Sequence, residues 1–259
     1  MAIDFHAPEN RDTYAGRDAQ SDWYEAMRAI VDPAGKRVAD IGCGGGIYSA
    51  AWADIGAAQV VGIDFSAPIL RAAARENAGR ANVSFRQGDA LDTRMLSRSV
   101  DVVFERALIH HLTDYDACFG EAHRLLDDGG LYIIQDRTPD DVRLPGAPDH
   151  LRGYFFERYP KLLKTELGRR PQGAAVERAL LDAGFASAQA LSLWETRRTY
   201  SGFPQLAVDL LARTGRSILH DLTDAELADL VDFIGTKMPA AGPITEQDRW
   251  TIWHARKPV

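Results

Sequence analysis

The chain has 259 residues, a formal net charge of −7 at pH 7 and a sequence pI near 5.5. Its apolar content of 46% and charged content of 26% are those of an ordinary globular protein, so disorder is expected only at the ends. The acidic balance argues against a nucleic-acid partner, because a large nucleic-acid surface needs clustered lysine and arginine. A chain of this length supports one domain with an elaboration of about 50 to 100 residues.

The two cysteines, Cys43 and Cys118, have neither C-x-x-C spacing nor a His/Cys ligand pattern. A disulfide framework is therefore not expected, and no metal is assigned. The first residues contain no basic leader followed by an apolar core. No apolar run approaches the roughly 20 residues that a membrane span requires. We expect a cytoplasmic protein without a membrane partner, as a monomer or a homodimer.

Residues 1–34 are expected to form an N-terminal arm and helix. The first part of this segment is polar and carries few structural signals, whereas the second part places Trp23, Met27 and Ile30 on one helical face. The arm either closes over a ligand as a lid or is a surface arm with ordinary packing.

A glycine-rich segment then follows an apolar run, residues 38–41, which predicts a buried strand. The glycines are Gly42, Gly44 and Gly46, and an Ala-rich amphipathic helix starts near Ile47. Glycine permits positive φ and lets a ligand lie against the main chain, while the helix start offers free N–H groups. The segment therefore predicts a site for a small charged cofactor.

The spacing of this segment excludes two common nucleotide motifs. A dinucleotide fingerprint needs glycine where Ile47 stands, and a phosphate loop needs a Gly-Lys-Ser/Thr ending. What remains is Asp-x-Gly-x-Gly-x-Gly, from Asp40 to Gly46, which resembles the first motif of class I S-adenosylmethionine-dependent methyltransferases. The resemblance implies S-adenosylmethionine as cofactor. It also implies an α/β, Rossmann-like fold: a mostly parallel seven-stranded sheet with an antiparallel terminal strand, helices on both faces, and here helical insertions.

Further landmarks follow in the order of that family. Asp64 closes the second strand, where a carboxylate can accept hydrogen bonds from both ribose hydroxyls. Gly-Asp-Ala after the third strand resembles the family's adenine pocket, which gives Asp89 the exocyclic amine and the Ala90 N–H a ring nitrogen. From the arm, Tyr14 and Arg17 would face the cofactor carboxylate. The resemblance thus implies a cofactor site of Tyr14, Arg17, Asp40, Gly42, Gly44, Gly46, Asp64, Phe65, Asp89, Ala90, Glu105 and Arg106.

A short helix bearing His110 and His111 is expected after the fourth strand, at the sheet edge where open α/β sheets bind ligands. Imidazole titrates near neutral pH, so either histidine could act as a general base, or both could only orient the helix by hydrogen bonding. The Asn/Asp-Pro-Pro-aromatic sequence of methyltransferases that act on nucleobase amines or glutamine is absent here, which disfavours those acceptors.

The cofactor domain is expected to span residues 35–259 with two insertions. Residues 138–170 are rich in proline, arginine and aromatics, and form either a cover over the acceptor pocket or a mobile surface excursion. Residues 188–200 and 250–255 read as strands, the second as an edge strand. In the family these last strands form a hairpin, so the helices of residues 202–243 would lie at its tip.

Four functions remain open at this stage. The acidic charge and the aromatic insertion favour methyl transfer to a small-molecule acceptor, without resolving an oxygen, nitrogen or carbon nucleophile. A transfer-RNA or protein methyltransferase would need a basic groove that the composition does not indicate. A nicotinamide oxidoreductase is opposed by Ile47. A noncatalytic module that binds S-adenosylmethionine is the fourth.

Overall fold

The computed structural model describes residues 18–259, so Tyr14, Arg17 and most of the N-terminal arm lie outside it. Seven strands form one sheet: β1 (Arg37–Ile41), β2 (Gln59–Asp64), β3 (Val83–Gln87), β4 (Val100–Arg106), β5 (Leu126–Asp136), β6 (Ala188–Tyr200) and β7 (Ile244–Arg256). Their order in the sheet is β3-β2-β1-β4-β5-β7-β6. β7 runs antiparallel to both of its neighbours, β5 and β6, whereas the other six strands all point in one direction. The mixed sheet that the resemblance implies is confirmed.

The last two strands form the expected hairpin, with Tyr200 opposite Ile244 at its tip. The prediction that the final strand lies at the edge is wrong, because β7 pairs with both β5 and β6. Its residues Ile252 and Trp253 point to opposite faces and are both fully buried, which requires cover on both sides. The edge strand on this side is β6.

The described chain contains ten α-helices: α1 (Ser21–Ile30), α2 (Ile47–Asp54), α3 (Ala67–Glu76), α4 (Tyr115–Leu125), α5 (Pro139–Val142), α6 (Leu151–Arg158), α7 (Pro160–Arg169), α8 (Gly173–Asp182), α9 (Phe203–Leu211) and α10 (Asp224–Gly235). Helices α1 and α2 pack on one face of the sheet, and α4 and α8 pack on the other. The sheet is therefore covered on both faces, as the fold class requires.

Helix α1 belongs to the core of this sheet. The Trp23 ring is fully buried and packs edge-on against Trp52 and Phe104. Its Nε1 donates a hydrogen bond of 3.1 Å to the side-chain oxygen of Gln135 on β5. The sequence predicts that this helix forms a lid together with the N-terminal arm, but its contacts show that it packs on the sheet.

The two insertions pack together into one unit, residues 138–170 and 202–243, which we call the helical body. It contains α5, α6, α7, α9, α10 and a 3₁₀ turn, Ser217–Asp221. Its members share an apolar cluster separate from the two clusters on the sheet faces. The aromatic residues of the first insertion are therefore buried in this cluster and are not a mobile surface excursion. None of the helices between residues 18 and 259 has the length and apolar character to cross a membrane.

Candidate functional site

The glycine turn after β1 is held against the end of β2. The N–H groups of Gly42 and Cys43 both donate to the Ile63 carbonyl, at 2.8 and 3.0 Å. Gly42, Gly44 and Gly46 have φ of +71°, +51° and +79°, which side chains of L-residues rarely adopt. The motif therefore places its glycines where the backbone needs them.

The turn borders a pocket at the carboxyl ends of β1, β2 and β4, with about 930 Å³ of space that extends into open solvent. A Cβ added at Gly44 or Gly45 would meet no atom within 4 Å, so the main chain here faces empty space. A ligand could lie directly against this backbone. Among the described residues, the pocket is lined by Asp40, Gly42, Cys43, Gly44, Gly45, Ile47, Tyr48, Asp64, Phe65, Ile69, Arg106, Ala107, Leu108 and His111.

Asp64 joins the turn to the end of β2. One carboxylate oxygen accepts the Gly44 N–H at 3.0 Å, and the other accepts the Ser66 N–H at 2.9 Å. Phe65, the next residue, keeps 48% of its surface exposed and lines the pocket. A carboxylate and an exposed aromatic ring thus stand together beside the open main chain, an arrangement that suits a nucleoside.

Asp40 lies behind the turn and is almost fully buried. The Ser49 hydroxyl donates a 2.5 Å hydrogen bond to its carboxylate. Burial raises the pKa of Asp40 to about 7, although the Ser49 hydrogen bond works in the opposite direction. The carboxyl group therefore has a polar partner on the protein side and also lines the pocket.

Several residues assigned by sequence do not line this pocket. Asp89 is exposed, and its carboxylate accepts the Leu91 N–H at 2.9 Å within the turn after β3. Ala90 packs against the core cluster on the α4 side. At Gly46 an added Cβ would lie 2.6 Å from the Phe85 ring, so packing as well as φ requires glycine.

Glu105 is fully buried on the α4 side of the sheet. The sequence instead predicts that it belongs to the cofactor site. The Cys118 thiol donates to its carboxyl group at 3.4 Å, and the Tyr132 hydroxyl is a second partner. Burial raises the pKa of Glu105 to about 8. Its side chain therefore serves the core, and the assignment of Glu105 to the pocket wall is corrected.

Replacing Glu105 with glutamine is expected to change the pH dependence of stability. The folded protein keeps the Glu105 proton between its ordinary pKa of 4.5 and about 8, whereas the unfolded chain loses it. This group therefore makes wild-type stability fall across that window, by at most about 1.4 kcal/mol per pH unit, and leaves it constant above the window. Urea denaturation from pH 5 to 8 should show a shallower decline for Glu105→Gln.

The matched control is Asp116→Asn on the exposed side of α4. It should shift the free energy of unfolding by a similar amount at every pH. The same pH slope in Glu105→Gln and wild type would contradict the assignment of a buried, protonated carboxyl group.

Comparisons with known proteins agree with this geometry. A family model described as a methyltransferase domain matches residues 39–134. The chain is 32% identical over 144 residues to phosphoethanolamine N-methyltransferase 1 of Triticum aestivum (52% of this chain, 28% of the relative). It is 34% identical over 145 residues to ribosomal protein L11 methyltransferase of Deinococcus radiodurans (54% of this chain, 45% of the relative). The chain thus covers less than half the length of either relative.

A solved structure shares the fold. It is described as a putative methyltransferase from an antibiotic biosynthesis pathway of Anabaena variabilis, with a TM-score of 0.69 and 19% identity, covering 91% of this chain and 98% of that one. Residues 39–134 therefore form a methyltransferase domain, and the chain resembles class I S-adenosylmethionine-dependent methyltransferases in fold. S-Adenosylmethionine is therefore the cofactor that the site must accommodate. The glycine turn, with its open main chain and adjoining Asp64 and Phe65, fits the nucleoside and amino-acid parts of such a molecule.

His111, the last residue of the 3₁₀ turn Ile109–His111, also lines the methyltransferase pocket. His110 is held by Asp136, which accepts from its Nδ1 at 2.8 Å and from its backbone N–H at 3.2 Å. Burial lowers the pKa of His110 despite this carboxylate. The exposed His111 lines the pocket, and its pKa is lowered to about 4, first by partial burial of the ring and then by His110. Both rings are therefore neutral at pH 7.

Arg106 completes this side of the methyltransferase pocket. Its guanidinium donates to Glu195 of β6 at 2.8 Å. The Cζ atom lies 4.4 Å from the centre of the Tyr48 ring and 4.1 Å from the centre of the Trp250 ring. Sequence reasoning missed Tyr48, Glu195 and Trp250, since none belongs to a motif and two come from the terminal hairpin.

No group of three or more His, Cys, Asp or Glu residues in the described part of the methyltransferase is arranged to hold a metal ion.

Proposed function

We propose that this methyltransferase transfers a methyl group from S-adenosylmethionine to a small-molecule acceptor. The observation that carries the proposal is that one pocket joins the open main chain of Gly44 and Gly45 to the polar side chains of Arg106 and His111. The phosphoethanolamine methyltransferase named above supports a small acceptor by analogy. The acidic net charge supports it too, since it does not favour an RNA surface.

The cofactor would be held mainly by the turn. Asp64 fixes the turn through Gly44 and is the nearest carboxylate for the ribose, and Phe65 offers a ring face for the base. Asp40 stands at the inner wall, where it can accept a hydrogen bond from the amino-acid part. Asp89 and Ala90 remain the proposed adenine contacts on the turn after β3.

S-Adenosylmethionine supplies a methyl group that is already activated by a sulfonium. The protein's task is therefore to align the acceptor and to exclude water. His111 faces the pocket as a neutral imidazole, so it can accept a hydrogen bond or a proton from an acceptor hydroxyl or ammonium. His110 is oriented by Asp136 and supports the turn that carries His111.

The proposal is tested by binding and by acceptor screening. Isothermal titration with S-adenosylhomocysteine should show one site per chain. Incubation with labelled S-adenosylmethionine and separate panels of small metabolites, RNA and ribosomal proteins should transfer label to a small molecule. Transfer to ribosomal protein alone would instead favour a protein acceptor, for which the L11 methyltransferase is the relative. Tight binding without transfer to any panel would favour the noncatalytic module.

Replacing His111 with alanine is expected to lower kcat about a hundredfold for an acceptor that loses a proton, because general-base catalysis contributes roughly that much. Affinity for S-adenosylhomocysteine should stay within about threefold of wild type, since the cofactor contacts lie on the turn. The control is His220→Ala, an exposed histidine on the helical body. A wild-type kcat in His111→Ala would exclude the base role.

A further inference from the structure

Buried arginines share the carboxylates that they contact where the helical body meets the sheet. Asp248 of β7 is shared by Arg137, at 2.7 Å, and Arg152, at 3.3 Å. Burial, followed by the repulsion of Arg152, lowers the pKa of Arg137 to about 9. One carboxylate therefore does not fully compensate this pair of guanidinium groups.

We call this charged contact between the helical body and the sheet the seam. Two further carboxylates in it, those of Glu166 and Asp136, are shared as well. Glu166 of α7 is fully buried and pairs with both Arg169 and Arg170, while Arg152 lies 3.7 Å from it. Arg170 forms an ion pair with Asp136 at 2.9 Å, and the same carboxylate accepts a hydrogen bond from His110 Nδ1. Arg137, Arg152 and Arg170 are buried and share these three carboxylates, whereas Arg169 is partly exposed to solvent.

Arg106 and Arg137 both contact the indole ring of Trp250. The Cζ atoms of Arg106 and Arg137 lie 4.1 and 3.7 Å from the centre of the Trp250 ring. In both side chains the buried Nε–H has no hydrogen-bond acceptor among residues 18–259. A buried donor without a partner costs about 1–3 kcal/mol, so a missing acceptor is expected near these two groups.

The missing acceptor can reach Arg106 from the pocket. Arg106 lines the pocket together with His111 and the glycine turn that we assign to the cofactor. Its side chain is only 10% exposed and its ion pair with Glu195 is shared with Gln135. Asp40 also interacts with Arg106, but burial raises its pKa, which weakens it as an anionic partner.

We propose that Arg106, supported by the positive charge of Arg137 on the same indole ring, binds an anionic oxygen group of the acceptor, such as a carboxylate or a phosphate. This inference rests on the proposed function and assigns its substrate class: small molecules in which the methylated atom and an anionic group fit one pocket. A planar guanidinium with free donors suits both kinds of anion.

The test uses two matched pairs of probes, benzoate with benzamide and phenyl phosphate with phenol. Each is titrated calorimetrically into the full chain saturated with S-adenosylhomocysteine at pH 7. We expect at least one anion to bind about tenfold or more tightly than its neutral partner, which corresponds to one charge-assisted hydrogen bond. The pair that shows the preference distinguishes a carboxylate acceptor from a phosphate acceptor.

Arg106→Gln should abolish this preference, and Arg106→Lys should restore part of it because the positive charge returns. The control is Arg178→Gln, an exposed arginine on α8 that pairs with Asp182. If Arg106→Gln does not fold, Arg137→Gln should weaken the same preference. Equal binding of both members of each pair to wild type would overturn the inference without any variant.

A second measurement separates acceptor from cofactor. S-Adenosylhomocysteine carries a carboxylate, whereas 5′-methylthioadenosine does not. If Arg106→Gln weakens the first and not the second, Arg106 binds the cofactor carboxylate and the acceptor assignment is overturned. Affinities for both within about threefold of wild type would support it. Absence of S-adenosylhomocysteine binding to wild type would instead overturn the proposed function itself.

Discussion

Asp64→Ala is expected to lower the affinity for S-adenosylhomocysteine by at least about a hundredfold, or about 2.7 kcal/mol of binding free energy. Two losses combine in this variant. The ribose loses its proposed carboxylate partner, and the N–H groups of Gly44 and Ser66 lose their acceptor. The turn would keep the hydrogen bonds from Gly42 and Cys43 to the Ile63 carbonyl but lose the one at Gly44, and each buried donor left unpaired costs about 1–3 kcal/mol.

Calorimetry on Asp64→Ala should be paired with Asp92→Ala, which removes an exposed carboxylate from the turn after β3. The control should bind S-adenosylhomocysteine within about threefold of wild type. Asp64→Asn keeps one acceptor oxygen and should bind with intermediate affinity. If Asp64→Ala binds as tightly as wild type, the cofactor lies elsewhere.

Gly46→Ala and Gly45→Ala are expected to separate the stability of the glycine turn from its capacity to bind. At Gly46, φ is +79° and an added Cβ would lie 2.6 Å from the Phe85 ring. The strained backbone costs about 1–2 kcal/mol and the overpacking about 1–3 kcal/mol. Gly46→Ala should therefore lose about 2–5 kcal/mol of unfolding free energy.

Gly45 offers the matched comparison one residue away. Its added Cβ would meet no atom within 4 Å, and its φ is not in the left-handed region. Stability should change by less than about 0.5 kcal/mol, while the methyl group should lower S-adenosylhomocysteine affinity about tenfold by occupying pocket space. Urea denaturation and calorimetry on both variants measure the two effects. Unchanged affinity in Gly45→Ala would mean that no ligand approaches this backbone.

The sequence was most informative where neighbouring residues define both the fold and the site. The apolar run before Gly42 and the residue that closes β2, Asp64, form local patterns, and the structure places their carboxyl ends together. Short-range periodicity is enough for such predictions because each strand must bury its own residues. The capping box of Thr223 and Glu226 at the start of α10 is a local pattern of the same kind, and both of its hydrogen bonds are present.

The residues around Arg106, on the side of the pocket that we assign to the acceptor, could not be predicted from such local patterns. The partners of Arg106 are Glu195 and Trp250, which lie about 90 and 140 residues further along the chain and meet it only through the hairpin. The resemblance placed the acidic residue Glu105 in the cofactor site. However, side chains alternate along β4, so Glu105 lies on the opposite face of the sheet from Arg106. Spacing alone does not report that difference.

The helical body has a practical consequence for how acceptor preference can change. Its apolar cluster shares no residue with the clusters that support the glycine turn, so the two regions can accumulate substitutions independently. It joins the sheet through a charged seam that includes Glu166 and Asp136. None of the described residues that line the pocket comes from this unit, so its exchange between relatives would leave the methyl-donor site in place and would act on the pocket through the contact of Arg170 with Asp136 and His110.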